Sequence, residues 1–195
     1  MSAEWHSGYE ASNLGKWDVW YQDLNDDRNV LGLYGDSITY LMASAFLSDL
    51  PQVEDWGCGA GGFRRFCVSD HYIGVDGSRT PFADHIADLR EYRSSTPGIL
   101  LRHVLEHDLQ WSAILENAVA SFQRKLCVVL FTPFSKETRI IADNRPLGVD
   151  VPDISFARDD IEEHFTGLSW RIIADIPSRT QYGAEQFYCV WRDPW

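Results

Sequence analysis

The residues of this chain that could perform chemistry begin with an acid that precedes a glycine-rich turn. Asp55 stands two residues before Gly57, and Gly59 and Gly61 follow within the same short stretch. Glycines lack Cβ atoms, so the backbone can come close to a ligand, and a helix that starts after the turn offers free N–H groups. The acid would repel a bare anion but would accept a ligand that carries a positive charge or hydroxyl donors.

Two classes of cofactor satisfy these demands. S-adenosylmethionine fits because it has a sulfonium, an ammonium and a ribose diol. A dinucleotide also fits, because Gly57, Gly59 and Gly62 have the G-x-G-x-x-G spacing. Both classes require an acid about 20 residues further on, and Asp76 satisfies either requirement. The turn alone leaves the two classes open.

The elements that must position these residues alternate between helices and strands. We predict helices over 37–50, 62–69, 110–122 and 159–165, and strands over 53–56, 71–76, 98–104, 126–131, 169–176 and 186–191. Such alternation predicts a parallel sheet that is covered on both faces and binds ligands at the carboxyl ends of its strands. The predicted fold class is α/β: a doubly wound, mostly parallel, seven-stranded Rossmann-like sheet with an antiparallel last strand. Asp55 and Asp76 then lie on the ligand side.

The 195 residues fit one compact domain. We predict an aromatic N-terminal cap and helix over 1–50 and a ligand-binding domain over 51–195. The rings of the cap either pack it onto the domain or line a substrate site; the candidates for the second role are Trp17, Trp20, Tyr21 and Tyr34. The polar stretch 135–155 is predicted to be a flexible loop on the substrate side.

Composition excludes several classes of function. The net charge of −12 argues against a protein that binds by neutralising phosphates, so a nucleic-acid partner is not expected. The four cysteines have neither a C-x-x-C pair nor zinc spacing, so we predict no metal site. A metal could still bind through Asp143, Asp150 or Asp153, although their spacing is not diagnostic. The N-terminal sequence predicts no signal peptide, and no apolar run approaches the roughly 18 residues of a membrane span, which together predict a cytoplasmic protein with no membrane contact.

From about Val53 to about Arg192 the chain resembles the class I S-adenosylmethionine-dependent methyltransferases. The matching motifs are VEDWGCGAG at 53–61, YIGVDGS at 72–78, ADL at 87–89, HVLEH at 103–107 and FARDDI at 156–161. Their order and spacing favour this family, because a dinucleotide enzyme has no reason to carry the V-L-E-H element. The chain lacks the Asn/Asp-Pro-Pro-Tyr/Phe signature of amino-methylating nucleic-acid enzymes and has FTPF at 131–134 instead.

The resemblance implies roles for individual residues around the cofactor. Asp55 would influence its ammonium group, Asp76 would accept hydrogen bonds from both ribose hydroxyls, and Asp88 would accept from the adenine amine while Leu89 donates its backbone N–H. The full set of implied cofactor-binding residues is Asp55, Gly57, Cys58, Gly59, Gly61, Asp76, Gly77, Ser78, Asp88, Leu89 and His103.

Methyl transfer is an in-line displacement, and much of its rate can come from positioning the acceptor. A hydroxyl acceptor also benefits from a base, and histidine can take a proton near neutral pH. We therefore predict His107 as the base, with His103 as the second choice, and Glu106 as a catalytic candidate or a residue that fixes its neighbours.

The sequence thus predicts transfer of a methyl group from S-adenosylmethionine, with S-adenosylhomocysteine as product, to a small or sugar-like acceptor, with oxygen as the expected acceptor atom. Two alternatives stay open. One is an NAD-dependent oxidoreductase, and the other is a non-catalytic methyltransferase-like binding subunit. Nothing in the sequence fixes the acceptor or the oligomeric state.

Overall fold

The computed structural model describes residues 14–21, 38–145 and 148–192. Within them the chain forms nine strands: β1 (Gln52–Trp56), β2 (His71–Asp76), β3 (His85–Ile86), β4 (Thr96–Arg102), β5 (Phe122–Leu130), β6 (Arg139–Asp143), β7 (Pro152–Ser155), β8 (Ser169–Pro177) and β9 (Ala184–Trp191). Seven of these strands form one sheet in the order β3-β2-β1-β4-β5-β9-β8, and β6 pairs with β7 in a separate small sheet.

The direction of the strands confirms the predicted fold class. β1 to β5 run parallel to one another in the large sheet, whereas β9 runs antiparallel to both β5 and β8. The chain builds outward from β1 through β2 to β3 and then returns to the other side of β1 as β4. The strand order therefore reverses between β1 and β4, and a cleft opens at the carboxyl ends of strands at such a reversal.

Four α-helices lie in the described residues: α1 (Asp18–Tyr21), α2 (Ile38–Leu47), α3 (Trp111–Ser121) and α4 (Arg158–Glu162). Leu47 of α2 belongs to a buried cluster with Leu100 of β4 and Phe187 of β9. On the opposite face, Ile114 of α3 belongs to a cluster with Leu101 of β4. Leu100 and Leu101 are successive residues of β4, and successive strand residues point to opposite faces of a sheet. Helix α2 therefore covers one face of the sheet and α3 covers the other, as predicted from the apolar strands.

The predicted helix over 62–69 is wrong. The chain forms only a 3₁₀ turn, Gly62–Arg65, before it continues to β2. The carbonyl of Phe63 accepts both the Phe66 N–H at 2.9 Å and the Cys67 N–H at 3.0 Å, and no further turn follows. A segment this short, which opens with adjacent glycines, gains too few hydrogen bonds to offset the cost of starting a helix.

The predicted flexible loop over 135–155 is also wrong, because this stretch contains the β6–β7 hairpin. Ile140 pairs with Ile154, and Arg139 pairs with Ser155. Ile154 is buried in the same cluster as α3. The hairpin is therefore anchored to the core, and it lies at the edge of the sheet where the candidate site is found.

Candidate functional site

The glycine turn after β1 adopts a backbone that only glycine accepts readily. Gly57, Gly59 and Gly61 have φ values of 73°, 50° and 69°, a region that costs other residues conformational energy. The Gly57 N–H donates to the Val75 carbonyl at 2.7 Å. A Cβ on Gly57 would lie only 2.3 Å from Cγ2 of Val104, which follows β4. The turn is thus clamped between the ends of β2 and β4.

Asp76, the last residue of β2, binds this turn directly. Its Oδ2 accepts the Gly59 N–H at 2.8 Å and its Oδ1 accepts the Ser78 N–H at 2.7 Å. Burial raises the pKa of the Asp76 carboxyl to about 6, although the two backbone donors act in the opposite direction. Each carboxylate oxygen keeps a second lone pair, so Asp76 can still accept hydrogen bonds from a ligand.

Asp55 in β1 lies close to Asp76 and is also buried. The Tyr72 hydroxyl donates to its Oδ2 at 2.8 Å. Burial raises the pKa of the Asp55 carboxyl to about 7; the Tyr72 hydrogen bond lowers it, and repulsion from Asp76 adds to the rise. Two neighbouring acids that are costly to ionise would both be stabilised by a cation between them.

The stretch predicted to meet an adenine lies beside the end of β2. The Ala87 N–H donates to the Asp76 carbonyl at 2.8 Å. Asp88 is half-buried, and its Oδ1 accepts the Arg90 N–H at 3.0 Å in a tight turn. Leu89 is buried, so Asp88 is the more accessible of the two predicted contacts.

A segment that we call the strap, residues 14–21, crosses this edge of the sheet. Its Gly15 N–H donates to the Gly77 carbonyl at 2.8 Å, and its Trp17 N–H donates to Ser78 Oγ at 2.9 Å. In return, the Arg79 N–H donates to Asp18 Oδ1 at 2.7 Å. The loop after β2 therefore holds the strap through two main-chain groups and the Ser78 hydroxyl, and Ser78 also donates its N–H to Asp76.

The aromatic residues of the strap bridge the two halves of the site. Tyr21 is buried, and its hydroxyl would lie 2.8 Å from a Cβ placed on Gly59. The Trp17 ring meets the His107 ring edge-on, with centroids 5.1 Å apart. Trp20 is 41% exposed, and Tyr34 lies outside the described residues. Of the three predicted substrate contacts that lie within the described residues, Trp17 is the one whose ring meets a candidate catalytic residue.

His107 follows β4 and is held through one ring nitrogen. Its Nδ1 lies 3.0 Å from the Pro152 carbonyl and 3.3 Å from Asp153 Oδ1. Both are acceptors, so Nδ1 carries the proton and Nε2 of the neutral ring carries a lone pair. Nε2 meets no hydrogen-bond partner among the residues that the structure describes. Burial lowers the pKa of His107, but the hydrogen bond to Asp153 and the charges of Glu106 and Asp153 outweigh it and raise the pKa overall.

Asp153 in β7 belongs to this site as the partner of His107, a role that the sequence analysis did not predict. Its Oδ1 accepts from Asn144 at 2.7 Å, and its Oδ2 accepts from Gln181 at 2.7 Å and from the Tyr182 hydroxyl at 2.9 Å. Burial raises the pKa of Asp153, but His107 and these donors outweigh it and lower the pKa, which keeps the carboxylate ionised. A lone acid within the apolar run at 151–156 was the one available signal in the sequence.

His103, the second predicted base, is held differently. Its Nε2 lies 2.5 Å from Glu185 Oε1, which also receives the Arg102 guanidinium at 2.6 Å. Burial, and then the charge of Arg102, lowers the pKa of His103 to about 3, so it is neutral and weakly basic. His103 also has a φ of 57°, a strained value for a residue with a side chain. These contacts favour a structural role for His103, in which it binds Glu185, over a role in proton transfer.

Glu106 is fully buried and cannot touch a substrate in this arrangement. Its Oε1 accepts the Phe131 N–H at 2.5 Å, which ties the turn after β4 to the end of β5. Its Oε2 is buried without a partner among the described residues, and burial raises the pKa of Glu106 to about 7. Glu106 therefore acts on this edge by fixing its neighbours and by its charge on His107.

Residues 14–21, 38–145 and 148–192 contain no group of three or more His, Cys, Asp or Glu side chains arranged to hold a metal ion. None of the helices in these residues has the length and apolar character needed to cross a membrane.

No protein-family model matches the sequence, and no curated protein matches it. Solved structures match the fold. The 1,6-didemethyltoxoflavin N1-methyltransferase of Burkholderia thailandensis, with S-adenosylhomocysteine bound, has a TM-score of 0.65 and 14% identity over 91% of this chain and 84% of that chain. The magnesium protoporphyrin IX methyltransferase of Synechocystis, with S-adenosylmethionine bound, has a TM-score of 0.61 and 16% identity over 94% of this chain and 100% of that chain.

The N-methyltransferase NodS of Bradyrhizobium japonicum, in complex with S-adenosylhomocysteine, matches with a TM-score of 0.56 and 14% identity over 93% of this chain and 100% of that chain. This chain therefore has the fold of the S-adenosylmethionine-dependent methyltransferases. The resemblance predicted from its motifs is confirmed at the level of the fold.

Proposed function

We propose that this chain transfers a methyl group from S-adenosylmethionine to the hydroxyl oxygen of a small acceptor. One observation carries the proposal: the strap joins the loop after Asp76 to the ring of His107, so that an acid-lined glycine turn and a histidine with a lone pair share one edge of the sheet. The fold supports the choice of cofactor, and the histidine supports the choice of oxygen.

The chemistry of the glycine turn fits this cofactor. Asp76 has lone pairs left for the two ribose hydroxyls, and a diol bound by one carboxylate is a charge-assisted contact. Asp55 and Asp76 would both gain from a nearby cation, which suits a sulfonium and an ammonium. When bound, S-adenosylmethionine supplies an electrophilic methyl group. Asp88 is the residue that we assign to the adenine amine.

At the other half of the site, His107 acts as the base. Its Nε2 accepts the proton of the acceptor hydroxyl as the oxygen attacks, and the Nδ1 proton stays hydrogen-bonded to Pro152 and Asp153. The ionised Asp153 stabilises the imidazolium that forms, and three donors hold that carboxylate in place. This arrangement of base and orienting acid is used by other hydroxyl-activating sites.

Binding is the first test of the proposal. We expect S-adenosylmethionine and S-adenosylhomocysteine to raise the melting temperature of the protein by mass action, and NAD at the same concentration to leave it unchanged. Stabilisation by NAD alone would contradict the assignment and favour an oxidoreductase.

Catalysis is the second test. His107→Gln should lower kcat by about 10²-fold or more, the usual contribution of a general base, with unchanged cofactor affinity. The matched control is His164→Gln, because His164 is another half-buried histidine, but its contacts are Ser112 and Trp111. Tight cofactor binding without turnover on any acceptor would instead support a non-catalytic binding subunit.

A further inference from the structure

The surroundings of His107 are aromatic. The Trp17 ring lies 5.1 Å from the His107 ring on one side, and the Phe131 ring lies 5.4 Å from it on another. Phe131 in turn packs against Tyr182 at 5.7 Å and His103 at 4.9 Å. These contacts form a continuous row of rings along the carboxyl ends of β4 and β5. Trp17 is half-buried and Phe131 is 8% exposed, so the Trp17 ring is the more accessible of the two beside His107.

Three polar side chains beside this row donate to a single carboxylate. The Gln181 amide and the Tyr182 hydroxyl both donate to Asp153, at 2.7 Å and 2.9 Å. The Asn144 amide also donates to Asp153 at 2.7 Å. An acceptor with many hydroxyls, such as a sugar, needs several donors and acceptors to replace its bonds to water. Here one donor of each of these three side chains already holds the carboxylate that orients the base.

The strength of the base points in the same direction. A phenolic hydroxyl has a pKa near 10 and an ordinary histidine has one near 6.5, so the two differ by about three to four powers of ten in acidity. An aliphatic hydroxyl resembles water, whose pKa is 15.7, and the difference then grows to about nine powers of ten. General-base catalysis is efficient when the acidity of base and acceptor are close.

We propose that the acceptor is a planar aromatic hydroxyl compound, a phenol or a close relative, whose ring packs against Trp17 and Phe131. This inference rests on the proposed function and narrows it. In the transfer, the phenolic oxygen forms a bond to the methyl carbon while the carbon–sulfur bond breaks and its electron pair remains on sulfur. The phenolic proton passes to Nε2 of His107. Trp17 is then a residue that determines specificity.

The inference is tested with acceptors matched in size. Each aromatic compound is paired with its saturated counterpart: phenol with cyclohexanol, and catechol with cis-1,2-cyclohexanediol; methyl glucoside represents the sugars. Formation of S-adenosylhomocysteine and of the methyl ether is followed by mass spectrometry. We expect kcat/KM for the aromatic member to exceed that of its partner by about 100-fold or more.

A variant tests the role of the ring. Trp17→Leu keeps the backbone N–H that binds Ser78, so the strap stays attached, but it removes the aromatic face. A lost ring–ring contact corresponds to an increase in KM for phenols of about three- to tenfold, with a smaller change in kcat. Val19→Ser is the control, because Val19 lies on the same strap with its side chain 75% exposed; its KM should not change.

The outcomes separate the two proposals. Failure to bind S-adenosylmethionine would refute the proposed function itself. Cofactor binding with equal or faster methylation of the saturated members or of the glucoside would refute the aromatic acceptor alone. Cofactor binding with no transfer to any phenol would do the same, as would an unchanged KM in Trp17→Leu.

Discussion

Asp153→Asn is the substitution that tests the assignment of His107 as a base most directly. The change removes the negative charge that lies 3.3 Å from His107 Nδ1 but keeps the size of the side chain. The Pro152 carbonyl, 3.0 Å from the same nitrogen, still accepts the Nδ1 proton. The preferred tautomer is therefore retained, and only the electrostatic stabilisation of the imidazolium is lost.

The expected magnitude follows from that distinction. A hydrogen bond to a charged group contributes about 1.5–3 kcal/mol, and each 1.36 kcal/mol corresponds to a factor of ten in rate. Asp153→Asn should therefore lower kcat by about 10- to 100-fold on the alkaline plateau, where His107 is neutral. If the substitution also changed the tautomer of His107, kcat would fall further. A loss of kcat much larger than about 100-fold would therefore indicate a different role for Asp153.

The dependence of rate on pH provides an independent signature. A base must be unprotonated, so activity is lost as pH falls through its pKa. Because the pKa of His107 is raised in the native protein, this loss should begin at a higher pH than for an ordinary histidine. In Asp153→Asn the pKa of His107 should fall, because the neighbouring negative charge is lost. The fall of kcat on the acid side of the pH profile should then occur at lower pH.

The assay is the initial rate of S-adenosylhomocysteine formation between pH 5 and pH 9, with the melting temperature recorded to confirm folding. Asn144→Ala is the matched control, since it removes a 2.7 Å hydrogen bond to the same carboxylate but leaves its charge. A lower plateau with an acid limb that does not move would show that Asp153 only supports the fold. An unchanged kcat on the alkaline plateau would refute the proposal that Asp153 stabilises the protonated His107.

Three further outcomes are expected. Gly57→Ala should lower the free energy of unfolding by about 2–5 kcal/mol, because the new Cβ meets Val104 at 2.3 Å in addition to the cost of a positive φ; Gly148→Ala, with a φ of 84° but open space, should lose only about 1–2 kcal/mol in the same urea titration. Asp76→Ala should weaken S-adenosylmethionine binding by more than tenfold in calorimetry, and an unchanged affinity would exclude its ribose role. Arg102→Leu should lower the free energy of unfolding by about 3–5 kcal/mol, because it removes the positive charge beside the buried Glu185 carboxylate, which keeps its hydrogen bonds to Thr39 and His103; replacing both with leucine should recover part of this loss, and a double variant no more stable than the single one would count against the ion pair.

The parts of the site that the sequence predicts well are the ones encoded in short contiguous stretches. The Gly59 N–H of the glycine turn donates to the Asp76 side chain across 17 residues, and apolar strands flank both of them. His107 could be ranked first because it follows a buried strand that ends on the ligand side. Local pattern and general rules of parallel sheets suffice for such features.

The parts that escaped prediction depend on contacts between distant segments. His107 meets the Pro152 carbonyl across 45 residues, and His103 meets Glu185 across 82. Nothing in either local sequence distinguishes a histidine that keeps a free lone pair from one that is held neutral by burial beside Arg102. The β6–β7 hairpin, which carries Asp153, was also hidden in a polar stretch whose apolar residues are few.

The reversed direction of β9 separates two tasks along the chain. It brings the start of that strand, with Glu185, to the ligand edge together with Gln181 and Tyr182 of the preceding loop. The groups that hold the orienting acid therefore come from the second half of the sequence, whereas the acids and glycines of the cofactor half come from the first. Mutations can therefore change one set of residues without the other. A library of variants restricted to residues 144–183 would alter the surroundings of Asp153 and leave the glycine turn, Asp55 and Asp76 unchanged.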